Sequence, residues 1–142
     1  VPNRVARTSE TCLHWLSLDE WLIVSTPSAA VIEKGLAVSL AGRHYALVNL
    51  SGGQTVLRIG GVRAPDILSS DCTLDFHPHV FHHGHCRQSL LAGAPVLVRR
   101  VDERDDVAFD LVVRRSFSRH LFDWLTDAAH ETGYILRPPH CE

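Results

Sequence analysis

Two apolar runs in the C-terminal half do most to limit how this chain can fold. Residues 95–101 and 107–113 flank a polar tip, Asp-Glu-Arg-Asp-Asp at 102–106. Val107, Phe109, Leu111 and Val113 fall on alternate positions, so a strand sends all four to one face. Two such runs joined by a short polar turn predict an antiparallel hairpin. Its apolar face needs a cover. Residues 118–132 supply one, because Leu121, Leu125, Ala128 and Ala129, with Trp124 beside them, make a single helical stripe. Gly133 is placed to end that helix. A helix laid across an antiparallel sheet defines an α+β fold.

Upstream, Ser17-Leu18-Asp19-Glu20 has the capping-box pattern and precedes an apolar run, Trp21 to Val24. The pattern predicts a short N-terminal helix. Residues 28–34, closed by Gly35, predict a further helical turn or two. The period then changes. Residues 36–40, 44–50 and 55–59 are short apolar runs separated by Gly42-Arg43 and by Ser51-Gly52-Gly53, which predicts an antiparallel meander. A turn of helix is expected at 66–69. The whole reads as one α+β domain over 1–142, with a mostly antiparallel sheet of five or six strands, a short helical N-terminus and one C-terminal helix packed on the sheet. A chain of 142 residues buries a core of its own without disulfide staples.

Charge narrows the list of partners. The formal net charge is −2 and the sequence pI about 6.6, so there is no field to draw in nucleic acid or an anionic membrane. No apolar run approaches the roughly 18–20 residues of a membrane span. The expected location is cytoplasmic, with a removed leader left open because the chain begins at Val1. Thirteen arginines against the single Lys34 indicate a GC-rich genome, hence a bacterial or phage source. Cys12, Cys72, Cys86 and Cys141 show no paired CxxC spacing. Free thiols or metal ligands are at least as well favoured as two disulfides.

The chemistry-bearing feature is residues 75–86, Asp-Phe-His-Pro-His-Val-Phe-His-His-Gly-His-Cys, with five of the ten histidines. If 73–81 is a strand, Leu74, Phe76, Pro78 and Val80 face a core, while Asp75, His77 and His79 line the other face. Pro78 has no N–H, which puts such a strand at an edge. Gly84 then permits a bend that brings His83 and His85 to one side, with Cys86 as a soft ligand. These residues predict a metal site of His77, His79, His83, His85 and Cys86, with Asp75 as ligand or general base. Zinc is the first expectation, and Fe(II), Mn or Cu are alternatives. The rival readings are a solvated or pH-responsive histidine tract.

His82-His83-Gly84-His85 resembles the His-Gly-His zinc pair of the pterin synthase family. His77-Pro78-His79 resembles the metal-binding His-x-His of relaxase-type nucleases. Each resemblance ends with its motif, and no family is assigned from either. Two functions follow from the residues. One is a small metal-dependent hydrolase in which zinc supplies hydroxide at neutral pH, acting on a small-molecule substrate. The other is a non-enzymatic protein-interaction module of inhibitor or immunity type, with a structural metal or none.

Overall fold

The computed structural model describes residues 1–102 and 106–138. The C-terminal hairpin forms as expected. Strands β6 (Ala94–Arg100) and β7 (Ala108–Arg114) pair antiparallel. The centre of their connecting tip, residues 103–105, lies outside the described residues, as does Cys141. Two further strands complete this sheet. β4 (Gln54–Gly60) pairs with β7 and β5 (Cys86–Leu91) pairs with β6, giving the order β4-β7-β6-β5. The tight turn from β5 to β6 passes through Ala92 and Gly93, both at positive φ (51° and 73°), as a right-twisted two-residue hairpin demands. Asp71 accepts the Ala92 N–H at 2.6 Å and holds the strained residue in place.

Phe109, Leu111 and Val113 of β7, with Val96 and Val98 of β6, bury their side chains on one face of the sheet. Helix α3 (Ser118–Ala128) covers them with Leu121, and Trp124 and Leu125 pack partly buried beside it. The predicted apolar stripe of this helix is therefore its packing face. Helix α2 (Ala64–Ser69), close to the expected 66–69, adds Ala64 and Leu68.

The N-terminal third departs from the sequence reading. Residues 21–25 are not helical. They form β3 (Trp21–Ser25), which pairs with β2 (Thr11–Trp15), and β2 pairs with β1 (Val5–Arg7). The capping-box residues serve as a hairpin turn instead. The N–H groups of Leu16 and Ser17 donate to the Glu20 carbonyl, and Ser17 Oγ donates to Asp19 at 3.1 Å. The aromatic and β-branched run Trp-Leu-Ile-Val suits a pleated strand better than a helix. The helical turns expected at 28–34 do form, but they run on past Gly35 as α1 (Ala29–Ser39), which takes up most of the first expected meander strand. Residues 44–50 form no strand. The architecture is α+β with two antiparallel sheets, of three and four strands.

The small sheet packs on the second face of the large one. Cys86, Leu97 and Val112 of the large sheet meet Val5, Leu16 and Leu22 in a second apolar cluster. On the same face, register sets Arg99, Asp110 and Arg58 side by side across β6, β7 and β4. Arg58 Nε donates to Asp110 Oδ1 at 2.7 Å and its Nη2 to Oδ2 at 3.2 Å, while Arg99 Nη2 donates to Oδ2. Asp110 is almost fully buried. Burial pushes its carboxyl up, but the hydrogen bonds and charges of Arg58 and Arg99 outweigh that and hold it below the ordinary carboxylate range. Removing the buried carboxylate takes from the largely buried Arg99 its charged partner. Asp110→Ala is therefore expected to lose about 3–5 kcal/mol in urea unfolding. A loss under about 1 kcal/mol would mean that the row behaves as a screened surface pair.

Candidate functional site

Two polar constellations could carry function: the histidine segment and the charged junction between the sheets. The histidine segment is a loop, not a strand. Asp75 begins it by accepting the His77 N–H at 2.8 Å, a local side-chain turn that competes with strand pairing. The N–H groups of Val80 and Phe81 both donate to the His77 carbonyl. The chain thus curls at Pro78: of the alternate set expected of a strand, Leu74 and Phe76 pack on the core, Pro78 and Val80 are exposed, and Phe81 turns inward instead. The rings of Phe76 and Phe81 form a buried trio with Phe109, at centroid distances of 5.3–6.0 Å.

Anchoring by Phe76 and Phe81 decides where the imidazoles go. His77 and His79 stack on each other at 5.1 Å at the exposed tip, where the His79 N–H donates to His77 Nδ1. These two come together as their spacing suggests. The others do not join them. His83 turns to Asp102, with Nδ1 3.5 Å from Oδ2, and the same carboxylate accepts from Arg100 Nε at 2.7 Å. His85 is buried edge-on between Phe81 and His82. Desolvation, then Arg4, His82 and Arg87, lower its pKa. Gly84 takes positive φ (75°) and bends the chain as expected, but the bend separates His83 from His85.

Cys86 begins β5 and points into the inter-sheet cluster. Its thiol is wholly buried, 3.5 Å from the carbonyls of Arg4 and Trp15. Burial pushes its pKa up, which opposes the thiolate that a metal ligand requires. Among the described residues, no three His, Cys, Asp or Glu side chains are grouped to hold an ion. Asp75, His77, His79, His83, His85 and Cys86 thus divide among an exposed tip, an arginine-bound carboxylate and two buried positions. Cys12, Cys72 and Cys86 are free thiols.

The junction between the sheets was not apparent as a site from sequence. His14, the fourth residue of β2, is buried against it. Its Nδ1 lies 3.3 Å from the Leu22 carbonyl, and its Nε2 is buried with no hydrogen-bond partner among the described residues. Desolvation, then the Arg99 charge, lower its pKa, against smaller upward contributions from Leu22 and Asp110. The only signal in the sequence was charge inside apolar strands: Arg58 in β4 and Asp110 in β7.

These elements define an α+β protein of two antiparallel sheets. Residues 2–131 match the family described as sarcosine oxidase, gamma subunit family, and the chain belongs to that family. It is 32% identical over 121 residues to the sarcosine oxidase subunit gamma of Corynebacterium sp. strain P-1, covering 85% of this chain and 58% of that protein. Against the subunit gamma of an Arthrobacter species it is 32% identical over 130 residues, covering 91% and 62%. The chain therefore spans about three fifths of the length of these curated relatives. Among solved structures, it superposes on a chain of the heterotetrameric sarcosine oxidase from Corynebacterium sp. U-96, in complex with pyrrole 2-carboxylate, with a TM-score of 0.82 and 28% identity. That match covers 96% of this chain and 68% of the other.

Family membership and geometry together correct the functional expectation. The chain is not a metal-dependent hydrolase or an inhibitor- or immunity-type protein, and the zinc, iron or manganese expectation is withdrawn. The expectation of protein partners is supported in its general form by homology to a subunit of a heterotetrameric enzyme. Among the described residues, no helix is long and apolar enough to cross a membrane.

Two outcomes follow for this region. If the phenylalanines and not the histidines secure the loop, Phe81→Ala lowers stability by about 3–5 kcal/mol, whereas His77→Ala and His79→Ala stay within about 0.5 kcal/mol. Denaturant melts of the three variants measure this, and equal losses would contradict it. For pH, His14 and His85 both sit below the ordinary value of 6.5. The unfolded chain then takes up protons that the folded chain refuses, so stability is full above about 6.5 and declines as pH falls below it. The Tm should drop by several degrees between pH 7.5 and 5.5. His14→Gln, which keeps a donor for Leu22, should shrink that drop, and an unchanged drop would remove His14 from the account.

Proposed function

We propose that the chain acts as the gamma-type subunit of a heteromeric sarcosine oxidase, binding the other subunits and not supplying the reacting groups. The observation that carries this reading is the superposition on a chain of the heterotetramer across 96% of the present chain. The polar inventory supports it. Asp110 is held by two arginines, Asp75 and Asp71 by backbone N–H groups, and Asp102 by Arg100. Ser89 shares its hydroxyl with Cys72 and Thr73. A side chain engaged in this way shapes a surface more readily than it shuttles protons. The surface itself is suited to association, because Trp21, Val31, Val38, Tyr45 and Val48 are all exposed, and such apolar groups on a subunit mark where another chain covers it. Free thiols fit a reducing compartment, and the cytoplasmic expectation belongs to this reading.

Co-expression tests it. With an affinity tag on a different subunit of the oxidase, this chain should elute in a fixed ratio to the others. Omitting it should lower the recovered sarcosine-dependent oxygen uptake at least tenfold. Elution of the tagged oxidase without this chain, together with full assembly and turnover in its absence, would contradict the reading.

A further inference from the structure

The segment between the two sheets, residues 26–53, contains no fully buried residue. Helix α1 contains no buried residue. Its inner stripe, Ala29, Ile32 and Leu36, is only half-buried, and Ile32 and Leu36 line an open apolar groove of about 410 Å³ with Leu13 and Ile23 of the small sheet. Val31 and Val38 lie outside that stripe, 60% and 79% exposed. After α1, a turn closed by the Arg43 N–H on the Leu40 carbonyl leads into residues 44–50. That segment has neither helix nor strand, and every residue in it is exposed. Its composition is nevertheless that of a strand: Tyr45, Leu47, Val48 and Leu50 occur within seven positions. Among the described residues, no backbone–backbone hydrogen bond involves residues 44–49.

A run of apolar side chains on an unpaired backbone has two unmet demands in water. The side chains want cover, and the N–H and C=O groups form a template for another strand. The chain does not meet either demand itself. Gly53 N–H closes a turn on the Leu50 carbonyl, yet residues 44–50 do not fold back on β4, which remains at the open edge of the large sheet. The superposition on the heterotetramer chain leaves only about six residues unmatched. Residues 29–50, α1 with the segment that follows it, number 22, so most of that stretch lies within the aligned part. The likeness therefore extends to an element with little internal support, in a chain that was solved inside an assembly.

We infer that residues 44–50, carried by α1, form the docking arm of this chain: they add as a strand to a sheet edge of another oxidase subunit, with Leu47 and Val48 seated on apolar surface there. This rests on the subunit reading above. Strand addition takes affinity from main-chain hydrogen bonds and specificity from alternate side chains, and this segment offers both.

The test is co-expression of the full chain with the other subunits, capture through a tag on one of them, and quantification of this chain in the captured complex. Val48→Pro removes one backbone donor, Leu47→Lys places a charge in the seat, and Leu18→Lys, at an 88% exposed turn position outside the arm, serves as the control. Both arm variants should be recovered at least tenfold less than wild type. The control should match wild type, and the Tm of each variant chain alone should be unchanged. Wild-type recovery of both arm variants overturns the arm and leaves the subunit reading intact. Failure to capture wild type removes the subunit reading and the arm with it. A Tm loss of 5 °C or more in the arm variants, on the order of a structural substitution, makes the segment part of the body and overturns the inference. So does a wild-type dimer of this chain alone that the arm variants dissolve, since the occupant is then a second copy.

Discussion

A carboxylate shared between two guanidinium groups holds the centre of this protein. Asp110 lies directly opposite Arg58 on one neighbouring strand and Arg99 on the other. Removing Asp110 and Arg99 from water costs several kcal/mol each, and the direct bonds offset that cost only when the strands are in register. The row therefore acts as a register lock. A slip of one residue in β7 would turn Asp110 into the phenylalanine core and Phe109 toward the arginines. With register fixed, Phe109, Leu111 and Val113 face α3, and Val112 meets Leu97 and Cys86 beneath the small sheet. The two cores are built from opposite faces of the same strand.

That geometry accounts for the fate of the histidine segment. Phe109 is fixed inward, and Phe76 and Phe81 close on it from above. Between those two anchors the chain must spread, and the intervening imidazoles go wherever the anchors leave room. His77 and His79 stack at the exterior, while His83 reaches Asp102. After the second anchor, His85 and Cys86 turn inward, where desolvation favours the neutral imidazole and the protonated thiol. Density of ligand-type residues in a sequence is a statement about composition. A metal site also needs convergence, which the aromatic anchors deny here.

Elements with a strong, unopposed period were legible. The alternation in β7 and the helical stripe of α3 each had one reading, and both formed. The misread elements had two. Ser17 to Glu20 satisfies a capping box and a hairpin turn equally well, and the strand-forming run after it, with partners in residues 11–15, decided the outcome. Residues 73–81 alternate on paper, yet the Asp75 side chain and Pro78 both act locally to end pairing. Asp110 and His14 could not be selected, because their importance comes from partners 52 and 8 positions away. Residues 44–50 are a different case. Their apolar composition was read as a strand, and no strand forms there.

In the proposed assembly, a rigid body locked by the Asp110 row presents an incomplete strand to another subunit. Amide hydrogen exchange measures both halves at once. In the free chain, amides of β6 and β7 should exchange slowly and those of residues 44–50 at nearly the rate of an unfolded peptide. In the assembled oxidase, residues 44–50 should slow by at least a hundredfold while β6 and β7 stay as they were. Equal, rapid exchange of residues 44–50 in both states, or strong protection already present in the free chain, would contradict the account.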